Sequence, residues 1–173
     1  MMERYFRMMF RQRDEFEVAR RVGAGDTFNL PDGPVRDWEI IDLELSDGDF
    51  PDYLASDLGC RMCSQNLRDL LIDHAAPRDS FQWLEVRVTK EWDSRAYFIL
   101  HFPNPPDVLD ELKTIFADDF VVKPVVSAAK AHGHQVFAYP KCGTLALFVA
   151  PVVKEAIEAA GYTGMVFSPL PVT

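Results

Sequence analysis

The sequence predicts an α+β domain with a largely antiparallel sheet and a few packed helices. Three observations point there. Apolar stretches with strand-like alternation come in pairs around short polar turns, "FQWLEVRVT" (81–89) with "AYFILHF" (96–102) and "HQVFAY" (134–139) with "LALFVA" (145–150). Two other stretches carry helical spacing with caps, after Ser64 and after Pro151. No regular strand–helix–strand alternation connects them, so a parallel doubly wound sheet is not expected. At 173 residues, about half of them apolar, the chain forms one domain, 1–173, able to bury a core of its own.

In chain order, "YFRMMF" (5–10) reads as an opening strand. Gly23, Gly25, Asp32, Gly33 and Pro34 make 22–37 a loop. "WEIIDLEL" (38–45) alternates, with Ile41, Leu43 and Leu45 on one face and Asp42 and Glu44 on the other. Ser64 is an N-cap residue, and Leu67, Leu70, Leu71 and His74 follow at helical spacing until Pro77. The pair at 81–89 and 96–102 forms a hairpin around a turn at 90–95. In "NPPDVLDELKTIFADD", Val108, Leu112, Ile115 and Phe116 share one helical face, so a helix is expected there. "FVVKPVVS" (120–127) is β-branched, but Pro124 confines it to a sheet edge or breaks it in two. A second hairpin turns at 140–143. Pro151, the stripe Val153, Ala156, Ile157 and Ala160, and Gly161 specify a capped helix, and "TGMVFSPL" closes as a strand.

Charge excludes some functions. The chain has 18 Lys and Arg against 27 Asp and Glu, a formal charge of −9. Residues 1–21 hold six arginines and four acids, whereas 32–57 hold Asp32, Asp37, Glu39, Asp42, Glu44, Asp47, Asp49, Asp52 and Asp57 against Arg36 alone. A surface of that sign repels phosphate backbones, so nucleic acid is not the expected partner. It can steer a basic protein, which makes Asp42, Glu44, Asp47, Asp49, Asp52 and Asp57 the candidate partner-binding residues; the bland reading is a solvated acidic face. No apolar run approaches the roughly 20 residues that span a bilayer, and the N-terminus lacks the apolar core of a signal peptide. Three cysteines do not make a disulfide framework; a reducing, cytoplasmic setting is expected.

Chemistry-bearing motifs are few. Cys60-x-x-Cys63 leads into the Ser64-capped helix and has three readings. Buried structural thiols are the leading one, since free Cys is among the most buried residue types. A zinc site would need further ligands, for which Cys142, His132 and His134 are loosely spaced candidates. A redox pair would sit between a strand and a helix, but no βαβ pattern precedes it. His74 and His101 read as satisfied polar residues of a helix and a strand. No G-x-S-x-G, H-E-x-x-H, P-loop or dinucleotide fingerprint is present, and "GAGD" (23–26) reads as a turn. No cofactor is expected.

The succession "FPDYL", "CSQNLRDLLIDH", "YFILHFPNPPDVLD" and "VFAYPKCGTLALFVAPVVKEAIEAAGYTGMVFSPL" resembles the bacterial polymorphic-toxin immunity proteins, long known only as a domain of unknown function. The resemblance spans about 38–170 and rests on turns and core residues. A related group carries doubled Cys-x-x-Cys-Gly motifs that suggest metal; here Cys63 is followed by Ser64 and no second motif exists. The resemblance implies a non-enzymatic protein that stays in the cytoplasm, is encoded beside a toxin, and binds the toxin domain to block its active site. The alternatives are a small metal- or thiol-dependent protein using Cys60 and Cys63, and a regulatory module with an unrelated partner.

Overall fold

The computed structural model describes residues 4–11, 18–23, 25, 27–140 and 145–173. Twelve strands and three helices follow one another: β1 (Phe6–Phe10), β2 (Arg20–Arg21), β3 (Ile41–Glu44), β4 (Tyr53–Leu54), β5 (Met62–Ser64), α1 (Gln65–His74), β6 (Gln82–Lys90), β7 (Asp93–His101), β8 (Ile115–Ala117), β9 (Phe120–Lys123), α2 (Ala128–Ala131), β10 (Val136–Phe137), β11 (Phe148–Val149), α3 (Pro151–Ala160) and β12 (Met165–Pro169). They build a six-stranded sheet ordered β2-β3-β6-β7-β5-β4, a four-stranded sheet ordered β10-β11-β1-β12 and a separate β8-β9 ribbon. Every pairing between named strands is antiparallel except β3 with β6. The fold is α+β with largely antiparallel sheets, as the paired strands imply.

Strand alternation sorts the apolar residues into three clusters. On β1, Phe6, Met8 and Phe10 face the central cluster, where Cys63 and Leu100 of the larger sheet meet Val136, Val149 and Met165 of the smaller one. Helices α1 and α3 close it with Leu67, Leu71, Val153 and Ile157. The opposite face of the six-stranded sheet, with Leu43, Met62, Leu84, Val86, Val88 and Ile99, is covered by Leu54, Leu58, Phe28, Trp38 and Phe50. The outer face of the four-stranded sheet holds Tyr5, Phe137, Tyr139 and Phe148, covered by Val108, Leu109, Val126 and Ala131.

Local signals explain the helices. Ser64 caps α1 by accepting the Leu67 amide at 3.2 Å. Pro151 opens α3 and Gly161 ends it at φ 71°, a left-handed conformation that costs glycine little. The first hairpin is tighter than its sequence suggests: Lys90 pairs with Asp93, leaving only Glu91 and Trp92 as the turn. In the second, β10 pairs with β11, and its connection at 141–144 lies outside the described residues.

The helix expected over Val108–Phe116 does not form. Val108 and Leu109 are buried in an extended segment, Leu112 is 97% exposed, and Ile115 and Phe116 belong to β8. Asp118 and Asp119 provide a two-residue turn, Asp118 at φ 53°, and the β-branched run Phe120–Lys123 pairs back on Ile115–Ala117. Cross-strand pairing around an Asp-Asp turn prevails over a helical spacing that only four apolar residues support. Pro124 then ends β9, and Val126 continues apart from it, bridging to Leu109 and Val172.

Candidate functional site

Cys60 and Cys63 do not form one site. β5 sends Cys63 into the central cluster, while Cys60 lies in the cluster on the other face of the six-stranded sheet, its Sγ 3.5 Å from the Leu58 carbonyl. Burial pushes the Cys60 thiol up to about 11, against a smaller opposing pull from Arg61. Burial raises the Cys63 thiol further still; Arg61 lowers it somewhat and Asp52 adds to the rise. Metal binding and thiol exchange both use the thiolate, which these surroundings disfavour. Of the remaining metal candidates, Cys142 lies outside the described residues. His134 is engaged elsewhere, with Nδ1 2.8 Å from Asp79 Oδ1. Among the described residues no group of three or more His, Cys, Asp or Glu side chains could hold a metal ion.

Between the thiols, Arg61 is only 5% exposed. Its Nε donates to the Ala146 carbonyl at 2.7 Å, and its guanidinium sits 5.0 Å from the Phe102 ring centroid. The cation thereby ties the two sheets together through backbone acceptors.

Asp79 and His134 form a second polar node. The Asp79 carboxylate is fully buried and accepts the amides of Ala76 (2.7 Å) and Val136 (3.0 Å) besides the His134 ring. It pins the segment after α1 to the start of β10. A cavity of about 270 Å³ lies alongside, lined by Arg78, Ser80, Asn104 and His134. His134 Nε2 is buried and has no hydrogen-bond partner. The node has the geometry of a structural clamp: its carboxylate is saturated by backbone donors, and the free ring nitrogen is sealed from solvent. His74 and His101 are satisfied by the Leu70 carbonyl (2.9 Å) and the Gly33 carbonyl (2.7 Å).

The acidic stretch scatters into three settings. Asp42 and Glu44 point from β3 onto the open face of the six-stranded sheet, where cations meet them: Asp42 lies 3.2 Å from Arg87, its register partner on β6, and Glu44 stands opposite Arg20 of β2. Asp52 and Asp57 are committed to the fold. Asp52 accepts the Ser64 hydroxyl at 2.7 Å and the Thr163 amide at 2.9 Å, and Asp57 accepts the Arg21 amide with both oxygens, at 3.0 and 3.1 Å. Asp47 and Asp49 are exposed on the loop after β3. Lys90 Nζ donates to the Gly48 carbonyl, which holds this loop against the end of β6.

Two apolar features of the surface escaped the sequence. Trp92, in the Glu91-Trp92 turn that the same Lys90 precedes, is 99% exposed. On the β8-β9 ribbon, Ile115, Phe116, Phe120 and Val122 are exposed, Phe120 at 71% and Val122 at 62%. A Trp between charged residues ("KEWDSR") and an Asp-Asp turn followed by "FVV" were the available signals. No family model and no curated protein matches this chain. No helix is long and apolar enough to cross a membrane, among the residues described.

Proposed function

We propose that the chain is an immunity protein: a non-enzymatic cytoplasmic inhibitor that binds a basic toxin domain and covers its active site. The observation that carries this reading is Trp92, fully exposed at a hairpin tip beside the acidic Asp47–Asp49 loop. Tryptophan on a surface gains most by entering a partner's pocket, and Trp is enriched among residues that dominate binding energy. The carboxylates around it, with a chain charge of −9, raise the encounter rate with a basic surface. The resemblance to polymorphic-toxin immunity proteins supplies the identity of that partner.

The test is co-expression with the toxic domain encoded by the adjacent gene. Growth rescued by the wild type, with a 1:1 complex on gel filtration, is the expected outcome. Continued toxicity with both proteins produced, and no complex, overturns the reading.

A further inference from the structure

The β8-β9 ribbon is the part of the molecule whose apolar content the fold itself does not use. Its two strands pair with each other and with no other named strand. Alternation gives the ribbon two faces. On β9, Val121 turns inward and packs on the outer cluster with Tyr139 and Phe148, while its neighbours Phe120 and Val122 turn outward. Val122 also borders a cleft of about 300 Å³ that runs between β9 and the four-stranded sheet, lined by Val121, Pro124, Tyr139 and Leu145. Leu145 on the opposite bank is itself 43% exposed. An outward Phe, a Val and a cleft with an apolar lip form one continuous surface. Leaving such side chains in water forfeits roughly 1.5–3 kcal/mol each of the burial they could provide.

We infer that the outer face of this ribbon is the docking surface on which the basic partner protein lays an apolar segment, with Phe120 and Val122 as the central contacts. The inference rests on the immunity-protein reading and names its interface. Charge selects the occupant. The segment 110–123 carries Asp110, Glu111, Asp118 and Asp119 against Lys113 and Lys123. A second copy of this chain, itself at −9, would bring like charge onto an acidic ribbon, and an anionic bilayer would be repelled as well. A partner with apolar side chains flanked by Lys or Arg satisfies both the apolar face and its acidic rim. The Asp118-Asp119 turn puts carboxylates at the ribbon's tip, where they guide approach without occupying the contact itself.

The experiment replaces both outward residues, Phe120→Ser with Val122→Ser, and measures binding of the purified wild type and variant to the toxin domain of the adjacent gene by surface plasmon resonance. Thermal melts verify folding, and hydrogen exchange of 115–123 in the wild-type complex gives a second readout that needs no variant. Affinity reduced about tenfold or more, mostly through faster dissociation, with slowed exchange over 115–123 in the complex, is the expected result. Affinity within twofold of wild type and unchanged exchange there overturn the ribbon as the interface while leaving the immunity role intact. A wild type that does not bind the toxin domain at all overturns both. Self-association of the wild type in sedimentation, abolished in the double variant, overturns the assigned occupant in favour of a second copy.

Discussion

Asp52 and Ser64 are bonded twice: the Ser64 amide donates to the Asp52 carbonyl at 2.7 Å, and the Ser64 hydroxyl donates to Asp52 Oδ1 at the same distance. The hydroxyl meanwhile accepts the Leu67 amide, so the carboxylate orients the cap of α1. Its second oxygen takes the Thr163 amide, linking the start of the larger sheet to the turn before β12. Asp52→Ala is therefore expected to cost about 1.5–3 kcal/mol, the range for hydrogen bonds to a charged group. Asp49→Ala, three residues away on an exposed loop, should stay within about 0.5 kcal/mol of wild type. Urea unfolding of the two variants checks the contrast; equal stabilities would refute it.

The same junction sets the tolerance of Gly164. Its φ is 95°, and a Cβ there would meet the Tyr53 carbonyl oxygen at 2.3 Å and Pro51 Cβ at 2.8 Å. Left-handed backbone costs a side chain about 1–3 kcal/mol on its own, and here the obstacle is backbone that cannot swing aside. Gly164→Ala should melt well below wild type. Gly33→Ala makes the comparison, since Gly33 is also at positive φ but has open space around it. Matching melting temperatures would remove the close approach from the explanation.

In α1 the cost of truncation should follow burial. Leu67 and Leu71 are fully buried in the central cluster, whereas Leu70 only packs at its edge. Leu67→Ala and Leu71→Ala should each lose about 2–5 kcal/mol, and Leu70→Ala clearly less. A larger loss at Leu70, measured by the same unfolding curves, would contradict the packing described.

These residues also show what a sequence can convey. The helical spacing 67/70/71/74, the Ser64 cap, the Pro151 start and the Gly161 stop are local, and the structure follows them. The expected helix at 108–116 misled because its competitor was a pairing with 120–123, which no local periodicity registers. The parallel match of β3 with β6 is likewise set by distant contacts. The same limit governs the surface. The acids of 32–57 are plain in the sequence, but Arg87, Arg20, Thr163 and Arg21, which decide what each one does, come from elsewhere in the chain. Trp92 lay inside a turn read as six residues long; only the continuation of both strands to Lys90 and Asp93 leaves it at the tip.

The thiols make a pH-dependent prediction. A Cys60 pKa raised from 9.0 to about 11 means that the folded state holds the proton more tightly than the unfolded chain. Its contribution to stability is then complete below pH 9 and is lost as pH rises through 11. Stability should fall over that window, and Cys60→Ala should fall less steeply. Below it, in a Cys142→Ala background, neither Cys60 nor Cys63 should react with iodoacetamide at pH 8 until the protein is unfolded. Rapid labelling of the native protein would show that one of the two thiols is open after all.

The final prediction separates steering from anchoring. Asp47 and Asp49 are the acids of the stretch that stand exposed beside Trp92, and reversing Asp52 along with them would break the Ser64 and Thr163 bonds and confuse folding with binding. The double change Asp47→Lys with Asp49→Lys should leave the melting temperature near that of wild type. It should slow association with the toxin domain several-fold at low salt. The deficit should shrink as added salt shortens the Debye length toward about 8 Å at physiological ionic strength. Trp92→Ala should do the opposite: leave association and its salt dependence nearly unchanged and speed dissociation, because a buried aromatic anchor acts after encounter. Stopped-flow association at two salt concentrations, with dissociation followed by competition, distinguishes the two effects. Salt-independent association in the wild type would remove the acidic loop from the recognition mechanism, and unchanged dissociation in Trp92→Ala would remove the hairpin tip.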